Sequence, residues 1–407
     1  MKLSIATNLY LSILICLLVA CTQPAETRAP TIALPTSTPE AVARDTAVHN
    51  PTQNPTNTPL PATRAPTALP TSTPTSTPTP MPTAVTLLAA ADFGPNRNPL
   101  TGELVADTAV LQRRPLAVKV ANWPPEHTRP QSGLGAADLV FEHPTEGAIT
   151  RFTAIIYSRT PAKIGPIRSA RLIDVEIPAM YDAGLAYSGA SIGVSRRLGG
   201  SDIRPRLLRS YDPGYYRSGE DKPWEHTLYG DPLGFWLALE EKEQNVPPAF
   251  SSLMAFAEVP PANGQPAREI HVAYKDWTAV TWRYHEDSGR YLRWTDNEPH
   301  IDANTDEQLS AANVVVIFAI HQLDRSICEY LRDDECRVFS TEIQIWNEGP
   351  ALIFRDGQMV EGTWRRENRS DMFTFYDEAG SVIPLQIGNT WFQVVPRHYI
   401  DPITVMP

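Results

Sequence analysis

PLAVKVAN (residues 115–122), DLVFEHP (residues 138–144) and TRFTAIIYS (residues 150–158) are three short segments rich in β-branched and aromatic residues. Turn-forming residues bound these segments, as expected of strands in a sheet. We therefore predict three β-strands at the start of a globular region that begins near Phe93.

Helical patterns alternate with strand patterns in this region. Residues 168–181 have helical spacing, a second helix is predicted from about Ile192, and DPLGFWLALEEKE (residues 231–243) has the pattern of an amphipathic helix. GLAYSG (residues 184–189) predicts a short strand between the first two. This alternation is typical of α/β proteins, so we expect an α/β N-terminal domain (residues 93–257) with helices packed on a mixed sheet.

The last third of the chain has β patterns. A proline-rich segment, EVPPANGQPA (residues 258–267), predicts a linker. After it, VTWRY and RYLRW flank HEDSG, which predicts a hairpin, and NVVVIFAI (residues 313–320) predicts a buried strand. We therefore expect a smaller, mainly antiparallel β (α+β) C-terminal domain over residues 268–407. Its tryptophans and tyrosines form either the strand core or a platform for carbohydrate or peptide, and the sequence leaves both open.

The start of the chain has the pattern of an export signal. Lys2 precedes an apolar run (residues 9–20) that is too short for a membrane span. Leu18-Val19-Ala20-Cys21 resembles the lipobox of bacterial lipoproteins, in which the cysteine is acylated and becomes the N-terminus. We predict a signal peptide (residues 1–20) and a lipid anchor at Cys21, on the outer face of the cytoplasmic membrane. An ordinary secretory signal and an uncleaved anchor are the alternatives.

Residues 21–90 are dominated by Pro, Thr, Ala and Ser, and much of the chain's 39 prolines lies there. Such a segment lacks the apolar periodicity of a core and predicts a disordered tether, most simply a passive spacer. The formal net charge of -11 gives no basic footprint, so we expect no nucleic-acid partner. We expect no metal and no cofactor, because P-loop, GxGxxG and HExxH motifs are missing from the sequence.

Four cysteines occur in the chain. Cys16 lies in the predicted signal and Cys21 is the predicted anchor. The remaining pair, Cys328 and Cys336, is close in sequence, which predicts a disulfide on an oxidising side of the membrane. Two free thiols are the alternative.

Several motifs resemble the YerB-like lipoproteins, a bacterial family of uncharacterised function with an N-terminal and a C-terminal domain. GPIRSAR (residues 165–171) is the most specific, and RPQSGL (residues 129–134), EG with TRF, PWEHTLY (residues 223–229), FRDG and GTW also match. Where the family usually has Pro-His-Asn-Leu-Tyr, this chain has Glu225 before the histidine and Thr227 for the asparagine. The resemblance implies a two-domain lipoprotein and no particular mechanism.

Three arginines in these motifs predict an anion site. Arg168 and Arg171 are three residues apart on the predicted helix, near its N-terminus, and Arg151 begins a strand. Arginine binds carboxylate or phosphate bidentately, so a ligand site is one interpretation. The alternative is structural ion pairing with acidic residues, namely Glu142, Glu146, Asp174 or Glu176. The other candidate ligand-binding residues are Gln131, Ser132, Ser191, Arg217 and Tyr229.

His226 is the candidate catalytic residue, with Glu146 as its carboxylate partner, because imidazole exchanges protons near neutral pH. Gly189-Ala190-Ser191-Ile192-Gly193 fits the G-x-S-x-G pattern of hydrolases, but the oxyanion-loop signature is missing from the sequence.

Three functions follow from these residues. The leading hypothesis is an extracytoplasmic ligand-binding or cell-envelope accessory lipoprotein, with a cleft that recognises an anionic envelope ligand or glycan. The second is an envelope-directed hydrolase or transferase using His226 with Glu142, Glu146 or Ser191. The third is a structural adaptor. The sequence leaves the ligand, the occurrence of catalysis and the oligomeric state open.

Overall fold

The computed structural model describes residues 85–275 and 278–407. The predicted signal peptide, Cys21 and nearly all of the predicted tether lie outside these residues. Helices are few and short in the described part. The α-helices are α1 (Pro125–Thr128), α2 (Ile177–Met180), α3 (Ile192–Gly199) and α4 (Pro232–Glu241). The 3-10 helices are Ala90–Asp92, Thr108–Gln112, Leu134–Ala136, Leu172–Val175, Arg204–Arg206 and Trp224–His226.

Strands make up most of the ordered backbone. The first seven are β1 (Leu116–Ala121), β2 (Leu139–Pro144), β3 (Thr150–Ile156), β4 (Gly184–Ala186), β5 (Leu207–Leu208), β6 (Tyr215–Arg217) and β7 (Leu228–Gly230). The next eight are β8 (Gln265–Pro266), β9 (Glu269–Lys275), β10 (Thr278–His285), β11 (Arg290–Thr295), β12 (Glu298–Pro299), β13 (Ile301–Asp302), β14 (Glu307–Gln308) and β15 (Ser310–Ala311). The last seven are β16 (Asn313–Arg332), β17 (Glu335–Gln344), β18 (Asn347–Arg355), β19 (Gln358–Arg366), β20 (Thr374–Tyr376), β21 (Thr390–Pro396) and β22 (Ile403–Met406).

A central sheet of twelve strands has the order β20-β19-β18-β16-β21-β2-β3-β1-β4-β5, with β17 paired to β16 and β8 paired to β19. It is mixed. Strand β3 pairs antiparallel with β1 and β2, whereas β4 runs parallel to β1, and β21 runs parallel to both β16 and β2. Because β21 lies between β16 and β2, strands from the N-terminal and the C-terminal part of the described chain share one sheet.

A second, six-stranded antiparallel sheet, β12-β11-β10-β9-β22 with β15 on β11, packs against one face of the central sheet. Alternation along β21 shows how the layers meet. Trp391 and Val395 point into the core between the sheets, and Phe392 and Val394 point into the core on the other face. A strand covered on both faces is expected to be apolar throughout, and every residue of β21 is buried. Trp282 of β10 contacts Trp391 edge to face, with ring centroids 5.2 Å apart.

The prediction of a mixed sheet in the N-terminal part and antiparallel sheets in the C-terminal part is confirmed. The three strands predicted over residues 115–122, 138–144 and 150–158 are β1, β2 and β3, in that order. The predicted hairpin is β10–β11. The predicted helices near Ile192 and over residues 231–243 are α3 and α4. Asp231 caps α4, because its side chain accepts a hydrogen bond from the Leu233 amide at 3.0 Å.

The single helix predicted over residues 168–181 is wrong. Residues 167–170 are extended instead, because Ile167 bridges to Val120, the Arg168 amide donates to the Lys119 carbonyl at 2.9 Å, and the Ala170 amide donates to Gly189. The backbone turns only from Arg171, whose amide donates to the Asp174 carboxylate, and gives the 3-10 turn Leu172–Val175 and then α2. Backbone pairing with the end of β1, beyond the part that β4 covers, has replaced helical hydrogen bonds, so Arg168 is not on a helix.

A long hairpin leaves the central sheet. The first part of β16 pairs with β18 and β21, and its continuation pairs with β17; we call residues 320–344 the hairpin arm. The predicted disulfide between Cys328 and Cys336 is confirmed, and it joins the two strands of the arm near its tip. Ile327 is buried against the body of the protein, whereas Leu323, Tyr330 and Leu331 are exposed.

Candidate arginine site

The structure brings Arg151, Arg168 and Arg171 together beside the end of β1. Arg151 lies in β3, and its Nη1 donates to the Ser169 carbonyl at 2.6 Å. Arg168 follows on the extended segment, and its Nη1 donates to the Glu225 carbonyl at 3.2 Å. The charges of Arg171 and Arg168 both act on Arg151. The three arginines grouped from the sequence therefore lie near one another, although the shared helix face that suggested the grouping does not form, and their role as an anion site stays a prediction.

The charges of the three arginines are unequally compensated. Arg171 Nε pairs with the Glu146 carboxylate and lies 4.0 Å from Glu329 Oε2. Among the residues that the structure describes, Arg151 and Arg168 have no carboxylate within ion-pair distance. Burial, followed by the charges of Arg171 and Arg168, lowers the pKa of Arg151 to about 9. A buried positive charge beside other positive charges favours an anion as its partner.

A network of buried polar side chains surrounds Lys119 of β1, next to the arginine cluster. Its Nζ is fully buried and contacts Asp174 at 2.9 Å, Thr153 Oγ1 at 2.9 Å and His143 Nε2 at 2.5 Å. His143 Nδ1 donates to the Pro144 carbonyl, so its Nε2 is the acceptor of the lysine proton. Burial lowers the pKa of Lys119 to about 8 even with Asp174 beside it. This network is satisfied internally and fixes β1, β2 and β3 below the arginines.

The G-x-S-x-G segment is a turn that contacts the hairpin arm. Ser191 caps α3 by accepting from the Val194 amide, and its hydroxyl donates to Glu329 Oε1 at 2.8 Å. Gly193 contacts Ile327 of the arm. Among the described residues, Ser191 has no hydrogen bond to a histidine, and its hydroxyl donates to a carboxylate instead, so the serine–histidine pair of the hydrolase motif is not formed there.

His226 lies in the 3-10 turn Trp224–His226 and is 3% exposed. Its Nδ1 has no hydrogen-bond partner, and its ring lies 5.6 Å from the ring of His127. Burial and then the charge of Arg168 lower the pKa of His226. The histidine therefore lies beside the arginine cluster, and the positive charge of Arg168 favours its neutral form.

The predicted pairing of His226 with Glu146 does not form a catalytic dyad in this geometry. Glu146 accepts from Arg171 and, at 3.1 Å, from the Thr341 amide of the arm. Glu142 pairs with the buried Arg293 at 2.9 Å. Both carboxylates are thus occupied elsewhere, and neither has a hydrogen bond to His226 in the described part of the chain.

Two family models match the chain. The N-terminal domain of the family described as protein of unknown function (DUF3048) matches residues 100–245, and its C-terminal domain matches residues 270–392. The chain belongs to the YerB-like two-domain family. The Bacillus subtilis (strain 168) protein named "Putative lipoprotein YerB" is 29% identical over 307 residues, which cover 73% of this chain and 86% of that protein.

The crystal structure of YerB from Bacillus subtilis is similar to this YerB-like chain, with a TM-score of 0.64 and 27% identity. The match covers 76% of this chain and 99% of the other. The resemblance predicted from sequence is therefore confirmed. Within residues 85–275 and 278–407, helices of the length and apolar character needed to cross a membrane were not found.

The other predicted ligand residues of this YerB-like chain have structural contacts. Gln131 is fully buried, donates to the Ala121 carbonyl at 3.0 Å and contacts His300 Nε2 at 2.6 Å. Ser132 is buried and exchanges backbone hydrogen bonds with Gly165. Ser132 thus holds the start of the extended segment that carries Arg168, whereas Gln131 links the end of β1 to His300.

Arg217 and Tyr229 belong to the β6–β7 hairpin. The guanidinium of Arg217 stacks on Trp224, 3.7 Å from the ring centroid, and its Nη1 donates to Thr227 Oγ1 at 3.2 Å. Tyr229 is 2% exposed. The observed contacts of Arg217 are therefore within the β6–β7 hairpin and its connecting turn. Arg168 of the arginine cluster bonds separately to the same turn, through the Glu225 carbonyl.

Sequence reasoning missed Lys119, His143 and Glu329. Lys119 and His143 sit inside strands that read as apolar, and a charged residue within such a strand is a signal of a buried polar network. Glu329 lies between the two disulfide cysteines, and nothing local in the sequence indicates that the arm brings it to Ser191. Of the alternative ion pairs, Arg171–Glu146 forms, whereas Asp174 pairs with Lys119 and Glu176 with Arg366 and Arg369.

Proposed function

We propose that this YerB-like protein is an extracytoplasmic lipoprotein that binds an anionic cell-envelope ligand through Arg151 and Arg168. The lipobox-like sequence and the name of the Bacillus subtilis relative support attachment through Cys21 to the outer face of the cytoplasmic membrane. In this proposal residues 1–20 are removed, residues 21–90 are the tether, and residues 93–257 and 268–407 are the two domains.

The observation that carries the binding proposal is the missing counter-charge of Arg151. Its side chain is almost entirely buried (8% exposed), yet within residues 85–275 and 278–407 the one hydrogen bond of its guanidinium is to a neutral backbone carbonyl. The charges of Glu146 and Asp174 also act on it, but neither carboxylate lies within ion-pair distance. Leaving a guanidinium in this state costs free energy that an anion would recover. Structural arginines of this protein differ, since the buried Arg293 and Arg366 each have a carboxylate within 3 Å.

We infer that an anion reaches the cluster from the side of the segment 188–191. Residues 188–191 are half-buried, and Ile192 is 81% exposed. At Gly189, whose φ is +147°, a Cβ would meet no atom within 4 Å. An anion entering here meets Arg168 and Arg151, and arginine's planar fork suits the paired oxygens of a phosphate or a carboxylate.

Titration calorimetry of the full chain with inorganic phosphate, glycerol 3-phosphate and citrate tests the binding proposal. We expect saturable binding of at least one probe, and a loss of about tenfold or more in affinity for Arg151→Gln and Arg168→Gln, because each removes a charge-assisted contact. Arg365→Gln is the matched control, since Arg365 of β19 is exposed and pairs with Glu348 of β18. Absence of binding, or equal binding by all variants, would reject the site.

The anchoring proposal is tested separately by labelling cells with radioactive palmitate. We expect label in the native chain and none in Cys21→Ser, which should leave the membrane fraction. Cys328→Ser is the control, because that cysteine lies in the folded domain and should not affect lipid attachment. Label that persists in Cys21→Ser contradicts the anchor and leaves the anion proposal intact.

A further inference from the structure

A cavity of about 430 Å³ lies between the hairpin arm and the turn that joins β2 to β3. It is separate from the proposed anion site, since Arg151, Arg168 and Arg171 do not line it. Its apolar wall is formed by Pro144, Leu323, Phe339, Pro396 and Tyr399. This volume lies within the range of pockets that take small molecules, and a largely apolar wall with a few polar groups is typical of such pockets.

His321 supplies the most informative polar atom. Its Nδ1 contacts the Ala319 carbonyl at 3.1 Å, and a carbonyl only accepts, so the ring proton lies on Nδ1. The Nε2 atom is then a lone-pair acceptor, and within the described part of the chain it is buried without a partner. Burial lowers the pKa of His321 to about 4, which keeps the ring neutral at physiological pH. An occupant of the cavity satisfies this atom with an O–H or N–H donor.

The charges around the cavity argue against an ionic occupant. Glu146 reaches the wall, but its carboxylate is neutralised by Arg171 and also accepts from the Thr341 amide. Arg337, His398 and Tyr399 are the other titratable groups that line it, and Arg337 pairs with Glu335 at 2.8 Å. The wall therefore offers no unpaired negative charge to a cation, and its buried acceptor offers nothing to an anion.

We propose that this cavity binds a neutral sugar ring. Hydroxyl groups supply the donor that His321 Nε2 needs, and the apolar face of the ring packs against the aromatic wall of Phe339 and Tyr399. The arm contributes Leu323 and Phe339, so the arm and the β2–β3 turn bind the ring jointly. This site does not depend on the proposed anion site, and either can exist without the other.

Saturation-transfer NMR and calorimetry of the full chain with N-acetylglucosamine test this proposal. We expect saturable binding that weakens about tenfold in His321→Phe, which removes the acceptor, and that is largely retained in His321→Gln, whose amide oxygen accepts in its place. Phe339→Ala should weaken binding through loss of the stacking wall, and serves if His321→Phe lowers the melting temperature. His285→Phe, at the exposed end of β10, is the matched control.

Three results would overturn the assignment. One is the absence of binding by the native chain up to the solubility of the sugar. Another is binding by His321→Phe and Phe339→Ala that equals the native value. The third is tighter binding of protonated glucosamine than of N-acetylglucosamine, which would show that the cavity selects a cation.

Discussion

Gly193 of α3 lies against Ile327 of the hairpin arm with no space for a side chain between them. A Cβ at position 193 would lie 2.5 Å from Ile327 Cγ2 and 2.7 Å from Cγ1. Two residues further along the arm, Glu329 accepts a hydrogen bond from Ser191 at the start of α3. One glycine thus permits the arm to dock on the helix that borders the arginine cluster.

We expect Gly193→Ala to lower the free energy of unfolding by about 1–2 kcal/mol. Alanine favours a helix over glycine by about 1 kcal/mol, but overpacking against Ile327 costs about 1–3 kcal/mol and moves the arm. Urea denaturation measures the difference. Gly199→Ala is the matched control in the same helix, because a Cβ there meets no atom within 4 Å, and it should be neutral or stabilising. Equal effects at the two positions would contradict close docking, as would additivity of Gly193→Ala with Ile327→Ala.

We expect removal of the disulfide in Cys328→Ser/Cys336→Ser to lower the free energy of unfolding by about 2–3 kcal/mol. The cross-link closes a loop with a sequence separation of 8 residues, and a loop of that size restricts the unfolded chain by about this amount. Hydrogen exchange should accelerate at arm amides and stay unchanged in β21. A reducing agent should destabilise the native chain and leave the double variant unaffected. Unaltered exchange in the arm would show that docking on α3 alone holds it.

We expect Lys119→Met to cost about 3–5 kcal/mol, because it leaves the Asp174 carboxylate buried without its counter-ion. Lys119→Met/Asp174→Asn should recover much of this loss, since the amide oxygen still accepts from the Arg171 amide and the amide nitrogen donates to Thr153 Oγ1, which no longer receives the lysine proton. Lys222→Met is the surface control, as Lys222 pairs with Glu220 in solvent and should change stability by less than about 1 kcal/mol. A small effect of Lys119→Met would contradict a stabilising buried ion pair between Lys119 and Asp174.

We expect stability to fall as the pH is lowered from about 6.5 to about 4. Burial lowers the pKa of His321 to about 4, and it lowers the pKa of His143 and His300 as well. In this window the unfolded chain binds protons at these histidines and the native chain does not, so the free energy of unfolding rises with pH. The share of His321 is about 3 kcal/mol over the window. His321→Gln should flatten the pH dependence of urea denaturation by that amount, whereas His285→Gln should not, and parallel curves for all three proteins would refute the assignment.

The sequence predicted those elements whose signal is local. Helix α4 has its cap at Asp231 and its run of apolar residues within ten residues, and β1, β2 and β3 are short runs with turns beside them. The helix predicted over residues 168–181 failed because the alternative hydrogen bonds are long-range. Only the folded sheet shows that the Arg168 amide pairs with Lys119 and the Ala170 amide with Gly189.

The candidate site shows the same division. Arg151, Arg168 and Arg171 lie near one another because a strand end and the segment after Gly165 are brought together by β1, and their binding of an anion stays a prediction. The separation of His226 from Glu146 was not predictable, since it depends on Arg171 and on an amide of the arm almost two hundred residues away in sequence. Likewise, the serine of G-x-S-x-G faces Glu329, which the disulfide-linked arm supplies.

The position of β21 between β2 and β16 makes completion of the central sheet one of the last events in the synthesis of the chain. Strands β1, β2 and β3 are synthesised early. The backbone groups of β2 that pair with β21 stay unpaired until nearly the whole polypeptide has been synthesised. Bare edges of apolar strands invite pairing with other chains, and pairings between distant segments form slowly. A chain that stops before Thr390 is left with two incomplete half-sheets, so truncation in the C-terminal part should affect the N-terminal arginines as severely as truncation near them.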